Sequence, residues 1–183
     1  MKIDDHIRDY FLFQKKIFTD EDILNIEHKC LFSFPQDYID FVKTYGGVSF
    51  NNSCYNDFLE ATSCNDGLVD VPEVTQARII DGGEEQLISV SLDNLYMPLE
   101  IITIYLDFTK GSLVDNATTL FPSSLLPIGC CGGVDLFLLK SEQEGGRVFY
   151  WLRTYDEWGS NGNNKLWHVS NSFNEFIASL ETE

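Results

Sequence analysis

Two segments, residues 34–47 and 126–139, constrain the fold of this chain more than any other feature. In the first, Pro35 stands where a helix opens and a missing N–H costs nothing. Tyr38, Phe41, Val42 and Tyr45 follow at i, i+3, i+4 and i+7, one apolar stripe facing a core. Gly46 is placed to end the helix in the left-handed conformation, and Gly47 lets the chain turn into Val48-Ser49-Phe50, a first strand. The second segment reads as strand, turn, strand. Leu125 to Ile128 is short and apolar, Gly129 to Gly133 forms the turn, and Val134 to Leu139 is apolar on both faces and therefore central.

The flanks extend this pattern. Ile3, Ile7, Tyr10, Phe11, Phe13 and Ile17 are spaced for a short helix over residues 3–17. Thr19 precedes Asp20, Glu21 and Asp22, a capping signature for a helix from about Asp20 to Lys29. Residues 51–67 are turn-rich and polar. Val69 to Ile80 reads as extended, with Asp81-Gly82-Gly83 as a turn and Leu87 to Val90 pairing back. Residues 93–108 fit either a helix or a buried strand. Pro98 favours the helix, because a first turn tolerates proline and a central strand does not. Arg147 to Leu152 answers the central strand across Glu144-Gly145-Gly146, and Leu166 to Val169 is a further strand. Ser172 caps a last helix with the stripe Phe173, Phe176, Ile177 and Leu180. The fold class expected is α+β: a single domain with a largely antiparallel or mixed sheet and helices covering one face. Residues 1–18 form an N-terminal extension to a core over 19–182.

Charge narrows the partners. The net charge is −17, from 29 acids against 12 bases. Phosphate binding needs clustered Lys and Arg, so neither nucleic acid nor an anionic membrane is an expected partner. The sharper reading is a basic protein partner, since charge complementarity speeds association and selects partners. The charge is also uneven: Cys54 to Asp107 holds eleven carboxylates against the single base Arg78. The charged N-terminus has no uninterrupted apolar stretch of the kind a signal peptide needs, and no segment is long and apolar enough for a membrane span, so a cytoplasmic location is expected.

The search for chemistry finds no familiar site. Five cysteines, at 30, 54, 64, 130 and 131, are an odd set without a C-x-x-C, and the three histidines are far apart in sequence. No metal and no cofactor are expected. His28 and Cys30 stand two apart on a helix and so point to different sides. His168 lies in a strand pattern and reads as structural. Gly129-Cys130-Cys131-Gly132-Gly133 lacks the Lys and the following helix of a phosphate loop. What remains is a binding surface. Asp81, Glu84, Glu85, Asp156 and Glu157 are the candidate partner-binding carboxylates, and Trp158, in a polar loop, is the candidate apolar anchor.

Four places resemble the SUKH superfamily, which includes the yeast cell-wall synthesis regulators and many bacterial immunity proteins. They are Phe34-Pro35-x-x-Tyr38-x-x-Phe41 with Tyr45-Gly46-Gly47, Leu126-Pro127-Ile128-Gly129 with Gly133-Val134-Asp135, Val148-Phe149-Tyr150-Trp151, and Ser172-Phe173-x-x-Phe176-Ile177-x-x-Leu180. The resemblance implies helices against a mixed sheet and no catalysis. It implies an immunity protein that neutralises a cognate basic, nuclease-type toxin, or alternatively a regulatory adaptor that binds endogenous proteins. The signature residues Pro35, Tyr38, Phe41, Gly46, Gly47, Pro127, Gly129 and Gly133 read as scaffold.

Overall fold

The structure, a computed structural model, describes residues 8, 11–50, 54–58, 88–109, 124–131, 135–142, 146–151 and 166–182. Within them lie four helices: α1 (Asp20–Cys30), α2 (Gln36–Tyr45), α3 (Pro98–Thr109) and α4 (Phe173–Ala178). The strands are β1 (Phe11–Gln14), β2 (Val48–Phe50), β3 (Cys54–Phe58), β4 (Ile88–Ser91), β5 (Asn94–Leu95), β6 (Leu125–Cys131), β7 (Asp135–Lys140), β8 (Val148–Trp151), β9 (Leu166–Ser170) and β10 (Glu181–Thr182). Seven strands form one open antiparallel sheet in the order β1-β2-β5-β6-β7-β8-β9, and β10-β3-β4 form a second, smaller one. This is the single-domain α+β class that the sequence pattern points to.

The helix signals operate much as the residues suggest. Thr19 caps α1 reciprocally: its Oγ1 accepts the Asp22 N–H at 3.1 Å, and Asp22 Oδ2 accepts the Thr19 N–H at 2.9 Å. The Thr19 N–H, and then the Thr19 hydroxyl donating to the same Oδ2 at 2.8 Å, hold the Asp22 carboxyl below its ordinary range. Ser172 caps α4 by accepting the Glu175 N–H at 3.1 Å. Pro35 is the cap of α2 and not its first helical residue: its extended backbone leaves its carbonyl to accept the Ile39 N–H at 3.1 Å. Gly46 has φ 73° as a terminating glycine should, but ψ −157° puts it outside the left-handed helical well, in a region only glycine reaches readily. The reason is tertiary: a Cβ there would lie 2.4 Å from the Lys16 carbonyl oxygen.

Several expectations change. Phe11–Gln14 is an edge strand paired with β2, not part of a helix. β3 occupies part of the segment expected to be turn, and Ile88–Ser91 pairs with it; the expected partner residues 69–80 lie outside the described residues. Residues 98–109 are helical, which settles the ambiguity that Pro98 had tipped. β6 does not stop at Ile128. It runs through Gly129, Cys130 and Cys131, with a register irregularity between Pro127 and Gly129 that absorbs the proline. Gly129 is required there because β5 crosses close by, so that a Cβ would meet the Asn94 carbonyl oxygen at 2.4 Å.

The central strands are buried on both faces, residue after residue. Neighbours in a strand point to opposite sides, so helices must cover both. Phe137 packs against Phe176 of α4 with the rings tilted and 5.2 Å apart, while Trp151, on the opposite face, meets Phe108 of α3 edge-on at 5.9 Å. Helices covering one face was therefore too simple an expectation. The aromatic chain Phe34–Tyr38–Phe173–Phe41–Tyr45–Phe11–Phe50 then ties α2 and α4 to β1 and β2.

Candidate functional site

The carboxylates and aromatic proposed to meet a partner (Asp81, Glu84, Glu85, Asp156, Glu157 and Trp158) all lie outside the described residues. What the structure fixes is where the first group enters and leaves the body. Phe58 and Ile88 face each other across the β3–β4 pair, so the stretch 59–87 departs and returns at one point.

At the other end of that pair, where Ser91 faces Tyr55, lies a polar junction. Ser91, the last residue of β4, donates to Asp93 Oδ1 at 3.0 Å and sits 3.4 Å from Cys131 Sγ at the end of β6. Cys131 faces Asp135 across β6 and β7, and Asp135 Oδ2 accepts the Tyr150 hydroxyl proton at 2.8 Å. One branch over, Ser49 Oγ donates to Asn94 Oδ1 at 2.6 Å, and Asn94 Nδ2 lies 3.8 Å from Cys130 Sγ. The Ser91–Cys131 contact joins the small sheet to the large one.

The chemistry of the junction favours holding over reacting. Burial pushes the phenols of Tyr150, Tyr96 and Tyr38 up, and for Tyr150 the Asp135 carboxylate adds to the rise. Tyr105 is pushed up to about 12 by burial, with a contribution from Cys30. These phenols stay protonated at neutral pH and are not bases. A reactive thiol is sustained by cationic neighbours, whereas Cys131 has a hydroxyl and a carboxylate beside it. No group of three or more His, Cys, Asp or Glu among the described residues is arranged to hold a metal ion. Cys30 and Cys130 are buried, and Cys131 is half-buried.

His168 takes a structural position on β9, edge-on to Phe149 at 5.7 Å, with Arg147 over the other reach of that ring. Burial, and then the Arg147 cation, lower its pKa below the ordinary 6.5. The folded state therefore prefers the neutral ring. Its contribution is complete above pH about 6.5 and is lost as pH falls through the lowered folded value. In urea titrations, His168→Gln is expected to flatten the decline in stability between pH 7 and pH 5. An unchanged slope would remove His168 from the acid response.

Sequence reasoning passed over one surface. On α1 the buried face is Ile23, Ile26 and Cys30, while Leu24 and the capping residue Leu31 are exposed. The signal was available: an apolar residue next to Ile23, off its stripe, has no core to face. Asp20 and Asp22 at the start of the helix are paired to Lys43 and Lys16. Lys15, next to Lys16, reaches Glu100 of α3 at 3.5 Å.

Among the described residues no helix is long and apolar enough to cross a membrane. No solved structure matches the chain. A SPbeta prophage-derived uncharacterized protein, YokK, of Bacillus subtilis (strain 168) is 25% identical over 167 residues, which cover 90% of this chain and 76% of that protein. The SUKH_6 family model, described as SMI1-KNR4 cell-wall, matches residues 20–177, from the first residue of α1 into α4. With its capped helices, glycine-constrained turns and antiparallel sheet, the chain belongs to this SMI1-KNR4 family of SUKH proteins.

Proposed function

We propose that this protein is a non-catalytic, cytoplasmic immunity protein that neutralises a basic, nuclease-type toxin by covering its cationic cleft. Family membership over residues 20–177 carries the reading, because the family includes toxin-immunity proteins. The net charge of −17 supplies the physical complement to a phosphate-binding cleft. Asp81, Glu84, Glu85, Asp156 and Glu157 pair with Lys and Arg of the toxin, and Trp158 adds an apolar contact. The prophage origin of the Bacillus relative supports this reading over the alternative. That alternative is a regulatory adaptor binding endogenous proteins, which the cell-wall description of the family favours.

Co-expression with the product of the adjacent gene separates the two. An immunity protein rescues growth and co-purifies with that product, and an adaptor does neither. For the toxin complex, the association rate is expected to fall by at least about tenfold between roughly 0.02 and 0.5 M salt, as exposed charges are screened. A rate indifferent to salt in stopped-flow mixing would overturn the acidic steering.

A further inference from the structure

An exposed leucine alone needs no explanation. Leu31 does, because its backbone is costly as well. It is 83% exposed and adopts φ 52°, ψ 44°, and it is the one non-glycine residue with positive φ among the described residues. Glycine or asparagine holds that conformation at less cost. The turn itself is well made: the Leu31 and Phe32 N–H groups both donate to the Glu27 carbonyl, and Glu27 Oε1 accepts the Phe34 N–H at 3.0 Å. The backbone there is specified, and the leucine side chain contributes little to it.

Leu31 has company. Leu24, seven residues earlier and 64% exposed, falls on the same helical stripe, with His28 between them. Glu21 stands three residues before Leu24. Glu27 stands three after it and four before Leu31. Glu21 thus shares the exposed side of the helix with Leu24, and the half-buried Glu27, whose carboxylate accepts the Phe34 N–H, stands between Leu24 and the capping Leu31 just beyond the last turn. We propose that this face of α1, anchored by Leu24 and Leu31, docks a protein partner that presents an apolar pocket rimmed by Lys and Arg. The assignment rests on the immunity reading and adds a contact surface to the acidic residues and Trp158 already proposed. Charge identifies the occupant: a pocket rimmed by acids would be repelled by Glu21, Glu27 and the net negative charge of the chain.

The test compares wild type, Leu24→Ser, Leu31→Asn and Leu12→Ser against the adjacent gene product by calorimetry, with Tm measured for each. Leu12 is an equally plain exposed leucine, 56% exposed on edge strand β1 and off the stripe. Leu31→Asn is expected to weaken binding about 10- to 100-fold while raising Tm by about 2–4 °C, since asparagine relieves the backbone. Leu24→Ser weakens binding similarly, and Leu12→Ser changes it less than about twofold. The opposite signs for Leu31→Asn exclude misfolding as the cause. If wild type binds and both stripe variants bind as tightly, the surface is wrong and the immunity reading stands. If wild type neither binds nor rescues, that reading falls and the docking face with it. A lowered Tm for Leu31→Asn, or a wild-type dimer that this variant dissociates, would also overturn the proposal, by making Leu31 structural or its occupant a second copy.

Discussion

Gly46→Ala is expected to lower stability by roughly 3–5 kcal/mol, a large share of the 5–15 kcal/mol typical of a domain. Two costs combine. The backbone at φ 73°, ψ −157° is one that a side chain opposes by about 1–3 kcal/mol. The new methyl would also lie 2.4 Å from the Lys16 carbonyl oxygen and 2.9 Å from Ile17 Cα, both on backbone that cannot swing aside. That backbone is fixed on either side of the contact. The Lys15 N–H donates to the Gly47 carbonyl at 2.8 Å, and the Phe18 N–H donates to the Val42 carbonyl at 3.0 Å. Relieving the overlap means breaking one of these or shifting α2. Chemical denaturation measures the effect directly, and a loss below about 1 kcal/mol would mean that residues 15–18 do not lie against the end of α2 in solution.

Phe173→Ala comes next in size, at about 3–5 kcal/mol. The ring is fully buried and meets Tyr38 at 4.8 Å, Phe41 at 5.1 Å and Phe176 at 5.9 Å. It therefore joins α2 to α4 and, through the Phe176–Phe137 contact, to the centre of the large sheet. Truncation leaves a cavity bounded by three rigid rings, which collapse poorly, and that places the cost at the upper end of the range for large-to-small changes. Phe173→Leu should recover more than half of the loss. Equal losses for Ala and Leu would show that ring geometry, and not filled volume, is what the site requires.

The parts of the fold legible in the sequence are those whose cause is local. Thr19 and Ser172 announce helix starts because capping involves residues three apart. Phe173, Phe176 and Ile177 announce a buried face because helical period is a local property. The parts missed owe their existence to distant partners. β5 and β10 are two residues each, and no pattern that short is readable; they are strands because β2 and β6, or β3, lie alongside. β1 was hidden because Phe11 sits at a spacing that also suits a helix, and only its pairing with Phe50 decides. The site was less legible than the fold. The junction of Ser91, Cys131, Asp135 and Tyr150 brings together residues from four strands, and Leu31 shows its left-handed backbone only in three dimensions.

The β3–β4 pairing has a consequence for how such proteins diversify. Everything between its two opposed ends is an excursion from a closed stem, and the stem is itself held by β10. Extending or replacing an excursion of this kind costs little, on the order of 0.6 kcal/mol for each doubling of length. Asp81, Glu84 and Glu85 fall in sequence between those ends, so under the partner-binding role proposed above the contact residues are exchangeable as a cassette without rebuilding the core.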